Sequence, residues 1–244
     1  MKLAIVIVLL LLAATLLMMG CGGGHTAEEH INKGVEYAEQ GRFDDAIAQF
    51  TKAIELDPDL AEAYDNRGTA YRVLGDVQRA IKDFDQAILL DPEDAEAYVN
   101  RSAAYLDLGQ FEQAIAGSSE VIRLDPQEAK GYYNRGTAYL HLEDYQQAIA
   151  DLNKAIRLNP QYAEAYTNRG TTYRVLGNVR RAIEDYDQAI SLNPQLAPIY
   201  ANRALAYTAL GKDQEAERDI DKAVELGFDA RVLNRWVEDE KAQR

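Results

Sequence analysis

Three histidines, one cysteine and a ladder of asparagines are the residues in this chain whose types and spacing could do chemistry. His25 and His30 stand near the start, and His141 lies over a hundred residues further on. No pair of them has metal-ligand spacing on one helix. A nucleophile, base and orienter set needs a Ser or Cys partnered with His, and only His141 sits well inside the chain. "CGGGH" is rich in glycine but precedes no strand, so it is not a phosphate loop. The many carboxylates are scattered along surfaces that solvation explains. No cofactor is implied, and the chemistry that remains is binding. Asparagine recurs at Asn32, Asn66, Asn100, Asn134, Asn168 and Asn202. A side-chain amide offers an acceptor and donors at once, so it pairs with a peptide backbone whatever the backbone's sequence.

The asparagines are evenly spaced because the chain repeats itself every 34 residues, six times, from Ala27 to Ala230. The unit starting at Ala61 and the unit starting at Ala163 agree at 24 of 34 positions. A fixed period of this length marks a solenoid, in which each unit buries its apolar face by stacking on its neighbours. In the second unit Tyr64, Gly68 and Tyr71 share one face of a first helix, and Ala80, Phe84, Ala87 and Ile88 form the matching face of a second. Gly75 sits between the helices, where a helix end often needs positive φ. Asp91-Pro92 stops the second helix. The pattern Y-x₂-R-G-x₂-Y…A-x₃-F…P closely resembles the tetratricopeptide repeat. Tyr replaces that family's Trp and Arg its Leu. The resemblance covers residues 27–230 and implies an all-α, right-handed superhelix of six helix pairs.

The ends of the array also read as ends. The third and tenth residues of repeats two to six are small or apolar, from Ala63 and Ala70 to Ile199 and Ala206. In repeat one they are Glu29 and Glu36, so that flank should face water. At the other end Gly227 replaces the proline stop, and Leu233, Trp236 and Val237 form an apolar stripe on a capping helix over residues 230–242. Trp236 is expected to be its buried anchor against repeat six.

Asparagine at the sixth position points away from the buried face of the first helix. In tetratricopeptide arrays the first helices line the concave surface, so the resemblance places the ladder, with Thr69, Thr137 and Thr171 beside it, in the groove. Asn costs ~0.5 kcal/mol against Ala in mid-helix, and six such costs at one phase ask for a reason. One is passive copying during duplication, and another is a bond from each Asn to the neighbouring repeat. The reading preferred is functional. Arrays such as that of the O-linked N-acetylglucosamine transferases resemble this one in holding extended peptides with groove asparagines. The amides of Asn66, Asn100, Asn134 and Asn168 are accordingly expected to stand open, unbonded to neighbouring repeats. The fifth positions, Ile31, Asp65, Val99, Tyr133, Thr167 and Ala201, hold no lysine. That disfavours the carboxylate clamp of the chaperone-tail type of array.

At the seventh position stand Lys33 and then Arg67, Arg101, Arg135, Arg169 and Arg203; the twenty-third holds Asp83, Asp151, Asp185 and Asp219. These look like structural pairs rather than an anion-binding row. Repeat three has Gly117 where the others have Asp, so Arg101 must find another partner. It also has Ser118 at an aromatic or aliphatic position, with Val121 three residues on. "AGSSE" is a soft joint, a close-contact surface, or local drift.

Ahead of the array, Met1 and Lys2 precede an uncharged apolar run from Leu3 to Met19. That layout is secretory. "LLMMGC", ending at Cys21, resembles the lipobox of bacterial lipoproteins, although Met18 stands where leucine is usual. The resemblance implies cleavage after residue 20 and lipidation of Cys21. An uncleaved anchor is the alternative. As the only cysteine, Cys21 can form no intramolecular disulfide. Gly22, Gly23 and Gly24 make a flexible tether that reaches ~15–20 Å. Thr26 and Glu29 have capping-box spacing at the start of the first helix.

The division expected is a signal peptide at 1–20, a tether at 21–26, repeats at 27–60, 61–94, 95–128, 129–162, 163–196 and 197–230, and a capping helix with tail at 231–244. The net charge of −14 argues against nucleic acid as a partner. The function expected is a non-enzymatic adaptor, lipid-anchored in the bacterial cell envelope with its repeats outside the cytoplasm. It would bind a protein or extended peptide in its groove. The runner-up is a structural assembly factor acting through convex or end surfaces. A homo-oligomer is compatible with either.

Overall fold

The computed structural model describes residues 26–242. Thirteen helices and no strand make up the described residues. Repeat one contributes α1 (Ala27–Glu39) and α2 (Phe43–Leu56), and repeat two α3 (Ala61–Val73) and α4 (Val77–Leu90). Repeat three contributes α5 (Ala95–Asp107) and α6 (Phe111–Leu124), and repeat four α7 (Ala129–His141) and α8 (Tyr145–Leu158). Repeat five contributes α9 (Ala163–Val175) and α10 (Val179–Leu192), and repeat six α11 (Ala197–Ala209) and α12 (Asp213–Glu225). The chain closes with α13 (Ala230–Lys241).

Local signals set these limits. Thr26 and Glu29 form the capping box in both directions, at 3.0 and 3.1 Å. Asp91 leaves the helical region ahead of Pro92, which ends α4. Between paired helices Gly41, Gly75, Gly109, Gly177 and Gly211 all take positive φ. Repeat four places Glu143 there instead, at φ 62°, a strain of about 1 kcal/mol that the packing around it must offset.

In repeats one, two, four and five a second-helix side chain lies on a first-helix glycine. A Cβ added at Gly68 would stand 2.7 Å from Phe84, and one at Gly170 would stand 2.8 Å from Tyr186. Phe50, Phe84, Leu152 and Tyr186 are almost wholly buried there. Between pairs the third and tenth residues of repeats two to six are all buried, while Glu29 and Glu36 are exposed.

Repeat three solves the same packing problem with other residues. Ser102 stands in the glycine position and Ser118 in the aromatic one, and both are fully buried. A Cβ at Gly117 would meet Ser102 Oγ at 2.5 Å. The glycine has in effect moved to the second helix, and "AGSSE" is a tight contact inside the repeat. Ser102 Oγ donates to Tyr98 O at 2.7 Å, whereas buried Ser118 Oγ has no partner.

Neighbouring first helices touch one another along the array, whereas neighbouring second helices do not. The first helices therefore line the inner side of a right-handed superhelix.

The capping helix forms as expected, with Asp229 accepting from the backbone N–H of Arg231. Its expected anchor does not hold. Trp236 is 40% exposed, and Leu233 and Val237 are the buried residues. The indole rests edge-on against Phe228 at 5.7 Å instead of entering repeat six. On this helix Leu233 and Val237 are four apart and share the inward stripe, while Trp236 falls at its margin. No described helix is long and apolar enough to cross a membrane. Cys21 and the apolar run before it lie outside the described residues.

Candidate functional site

Two adjoining cavities open on the first-helix surface. One, of about 520 Å³, is lined by Glu62, Asp65, Asn66, Thr69 and Asn100, with Asp91, Asp94 and Glu96 at its edge. The other, of about 480 Å³, is lined by Asn100, Asn134, Thr137, Lys130, Tyr133, Tyr162 and His141. Asn100 belongs to both. Of the residues expected in the groove, Asn66, Thr69, Asn100, Asn134 and Thr137 thus share one continuous surface. Asn32 stands exposed at the outer end, and Asn202 is half-buried in repeat six.

The amides of Asn100, Asn134 and Asn168 are not open, which corrects the sequence-based expectation for those three. Asn100 Nδ2 donates to both carboxylate oxygens of Asp65, at 3.1 and 3.0 Å. Asn134 Nδ2 donates to the Val99 carbonyl at 3.2 Å, and Asn168 Nδ2 donates to Thr137 Oγ1 at 2.9 Å. In each case the acceptor belongs to the preceding repeat. Asn134 is only 4% exposed. The reason is geometric: neighbouring first helices approach closely on the inside of the curve, so the sixth position of one meets the fifth or ninth position of the other. The threonines are also engaged, since Thr171 Oγ1 donates to Thr167 O at 3.0 Å. Thr69 remains exposed. Asn100, Asn134 and Asn168 are thus first inter-repeat clamps, and the ligand-facing chemistry of the groove lies in the side chains around them.

Asp65 is the least comfortable of these groups. Its carboxyl is raised from 3.8 to about 6: burial raises it most, the bond from Asn100 lowers it in part, and Asp94, Glu96 and Glu62 raise it further. A carboxyl that binds its proton more tightly folded than unfolded favours folding below pH 4, and that benefit is lost as pH rises to 6. Asp65→Asn, which retains an oxygen for Asn100, is expected to raise stability by up to ~3 kcal/mol at pH 7 and by almost nothing at pH 4. Denaturant titrations of both proteins across that range check it; a pH-independent difference would discard the assignment.

His141 is exposed and stacks face to face on Phe111, with ring centroids 4.7 Å apart. His30 Nδ1 meets Gln49 Oε1 at 2.7 Å. Among the described residues no group of three or more His, Cys, Asp or Glu is placed to hold a metal ion.

The arginines are scaffold, as their spacing suggested. Arg67 binds Asp83 through Nε and Nη2, at 2.7 and 2.8 Å, and its Nη1 reaches Thr51 of the preceding repeat. Arg135, Arg169 and Arg203 repeat the bidentate pairing. Arg101, facing Gly117, turns to Asp85 of repeat two at 2.6 Å and leaves its buried Nε without a partner. The reach to the preceding repeat was not read from sequence, although each acceptor falls at the twenty-fifth position.

Helix pairs stacked in register, with a polar inner surface and arginine clamps between units, define an α-solenoid binding scaffold. The chain belongs to the tetratricopeptide repeat family. Profiles described as "Tetratricopeptide repeat" match residues 61–94, 84–116, 129–162, 163–196 and 197–226, and one described as "TPR repeat" matches 34–75 and 103–142. The crystal structure of MamA protein is 32% identical, with a TM-score of 0.55, over 68% of this chain and 91% of that one. YrrB, described as a TPR protein with an unusual peptide-binding site, is 24% identical, with a TM-score of 0.55, over 76% of this chain and 96% of its own. Cut9–Hcn1, an APC/C hetero-tetramer, shares the fold at a TM-score of 0.81 and 19% identity over 88% of this chain, which spans 42% of that one. No curated protein matches the chain significantly.

Proposed function

We propose that this protein is a membrane-anchored adaptor that binds a peptide or partner protein in its concave groove. Repeat proteins of this family are in general non-enzymatic scaffolds that bind proteins or peptides. The observation that carries the reading is the pair of polar cavities joined at Asn100 on the first-helix surface. Together they make a continuous trough with hydrogen-bonding walls, which suits an extended chain. Because Asn100, Asn134 and Asn168 clamp neighbouring repeats, removing them would test the scaffold as well as the site. Asn66 and Thr69 are the better handles. Asn66→Arg with Thr69→Arg fills the first cavity and is expected to lower partner recovery at least ~10-fold, a loss of about 1.4 kcal/mol of binding. The measurement is crosslinking in intact membranes, followed by mass-spectrometric identification of partners, with helical content checked by circular dichroism. An unchanged partner list from a folded variant hands the function to the convex or end surfaces, that is, to the assembly-factor reading.

The anchor in this proposal is Cys21, supported by the apolar run ahead of it and by its being the only cysteine. It places the repeats outside the cytoplasm in a bacterial cell envelope, within ~15–20 Å of the lipid surface. Mass spectrometry of the native N-terminus should find a lipid-modified Cys21 and no residues 1–20. An intact Met1 would overturn it.

A further inference from the structure

α13 begins where a seventh repeat would begin its first helix, yet it does not pack as one. Within the preceding repeat, every other first helix after α1 packs more on the second helix than on the first, whereas α13 packs more on α11 than on α12. It lies across the groove face. Leu233 and Val237 are buried among Tyr200, Ala201 and Leu205 of α11 and Ala223 of α12. Ala201 and Leu205 hold the fifth and ninth positions of repeat six, the same positions that face the groove as Asp65 and Thr69 in repeat two.

The polar contact tells the same story. Arg72 in repeat two pairs with Asp107 of repeat three at 2.6 Å. Its counterpart in repeat five is Arg174, but the counterpart of Asp107 in repeat six is Ala209. The missing carboxylate comes from α13: Glu240 meets Arg174 at 3.0 Å, with both side chains about one-fifth exposed. The seat is also incompletely filled. Arg174 Nε and Thr208 Oγ1 are buried without partners. A cavity of about 540 Å³, lined by Thr208, Ile220 and Val237, separates α12 from α13.

We propose that α13 is an internal ligand of the groove: it occupies the concave surface of repeats five and six, and a partner helix with two apolar residues four apart and a carboxylate three residues further on takes that seat by displacing it. The proposal rests on the groove reading above and sets its limits. Repeats two to four are open to a partner, whereas repeats five and six open only when α13 leaves. Fractional opening lowers apparent affinity by the closed fraction.

The test uses the full chain and, as probe, a fluorescein-labelled synthetic peptide of residues 229–242, read by anisotropy. Leu233→Asp releases the resident helix and is expected to bind the peptide at least ~10-fold more tightly than the parent protein. Adding Arg174→Glu should abolish that gain, and a peptide carrying Glu240→Arg should restore it. Glu240→Lys, which removes only the ion pair, should shift binding the same way by less, and it serves as the measure if Leu233→Asp does not fold. Equal binding by parent protein and folded release variant overturns the proposal, as does a gain that Arg174→Glu leaves untouched. Because the probe is this chain's own helix, the outcome is independent of whether Asn66→Arg with Thr69→Arg loses outside partners.

Discussion

Arg135→Ala is expected to lower the stability of the array by ~3–5 kcal/mol. The guanidinium binds Asp151 through Nε and Nη2, at 2.7 and 2.9 Å, and reaches Ser119 of the preceding repeat at 3.3 Å. The Asp151 side chain is 9% exposed, so truncating its partner strands a carboxylate that water can scarcely reach. The same change therefore breaks a contact within repeat four and one to repeat three. Repeat three supplies the internal control. Arg101 pairs only with Asp85, whose side chain is 51% exposed, and an exposed pair contributes ~1 kcal/mol or less. Arg101→Ala should cost far less than Arg135→Ala under the same denaturant titration. If the two cost the same, burial is not what gives these pairs their weight.

Phe84→Ala should cost about as much, ~3–5 kcal/mol, and the loss should be coupled to Gly68. Phe84 is fully buried on that glycine, where an added Cβ would stand 2.7 Å from the ring. Gly68→Ala alone overfills the contact and should cost ~1–3 kcal/mol. With Phe84 truncated, the new methyl has a void to enter and the helix gains up to ~1 kcal/mol of propensity. The double variant is thus expected to be more stable than Phe84→Ala alone, with a coupling of ~1–3 kcal/mol in a double-mutant cycle. Repeat three has made a related exchange, with Ser102 for the glycine and Ser118 for the aromatic. Additive effects would mean that the two helices do not meet through this pair.

Much of the scaffold was legible in the sequence because a repeat exposes its own rules. Six copies of one unit show which positions must stay small, apolar or charged. The buried third and tenth positions, the exposed Glu29 and Glu36 flank and the Arg–Asp pairs could all be read from that spacing. The groove was legible only by phase. Helical periodicity says that Asn66 and its counterparts point away from the buried face. It says nothing of how near the next first helix stands, and that distance makes the amides clamps between repeats. Acceptors such as Asp65 and Thr137 lie 35 or 31 residues from their donors, beyond any signal carried within one helix.

Repeat order, helix limits and the faces that stack were therefore determined by the sequence itself, because they rest on local propensity and on a pattern repeated in register. The tertiary structure alone decided three things. Curvature brought the first helices together and tied Asn100, Asn134 and Asn168 to the preceding repeat. Repeat three moved its glycine from one helix to the other, a compensation visible only when both helices are seen in contact. And α13, which is not paired as the first helices of the six repeats are, turned its Leu233 and Val237 onto the groove face of α11 and left Trp236 at the margin. The sequence of α13 departs from the repeat pattern, so its seat is set by whichever apolar surface lies within reach of a short connection, and that is a property of the folded array.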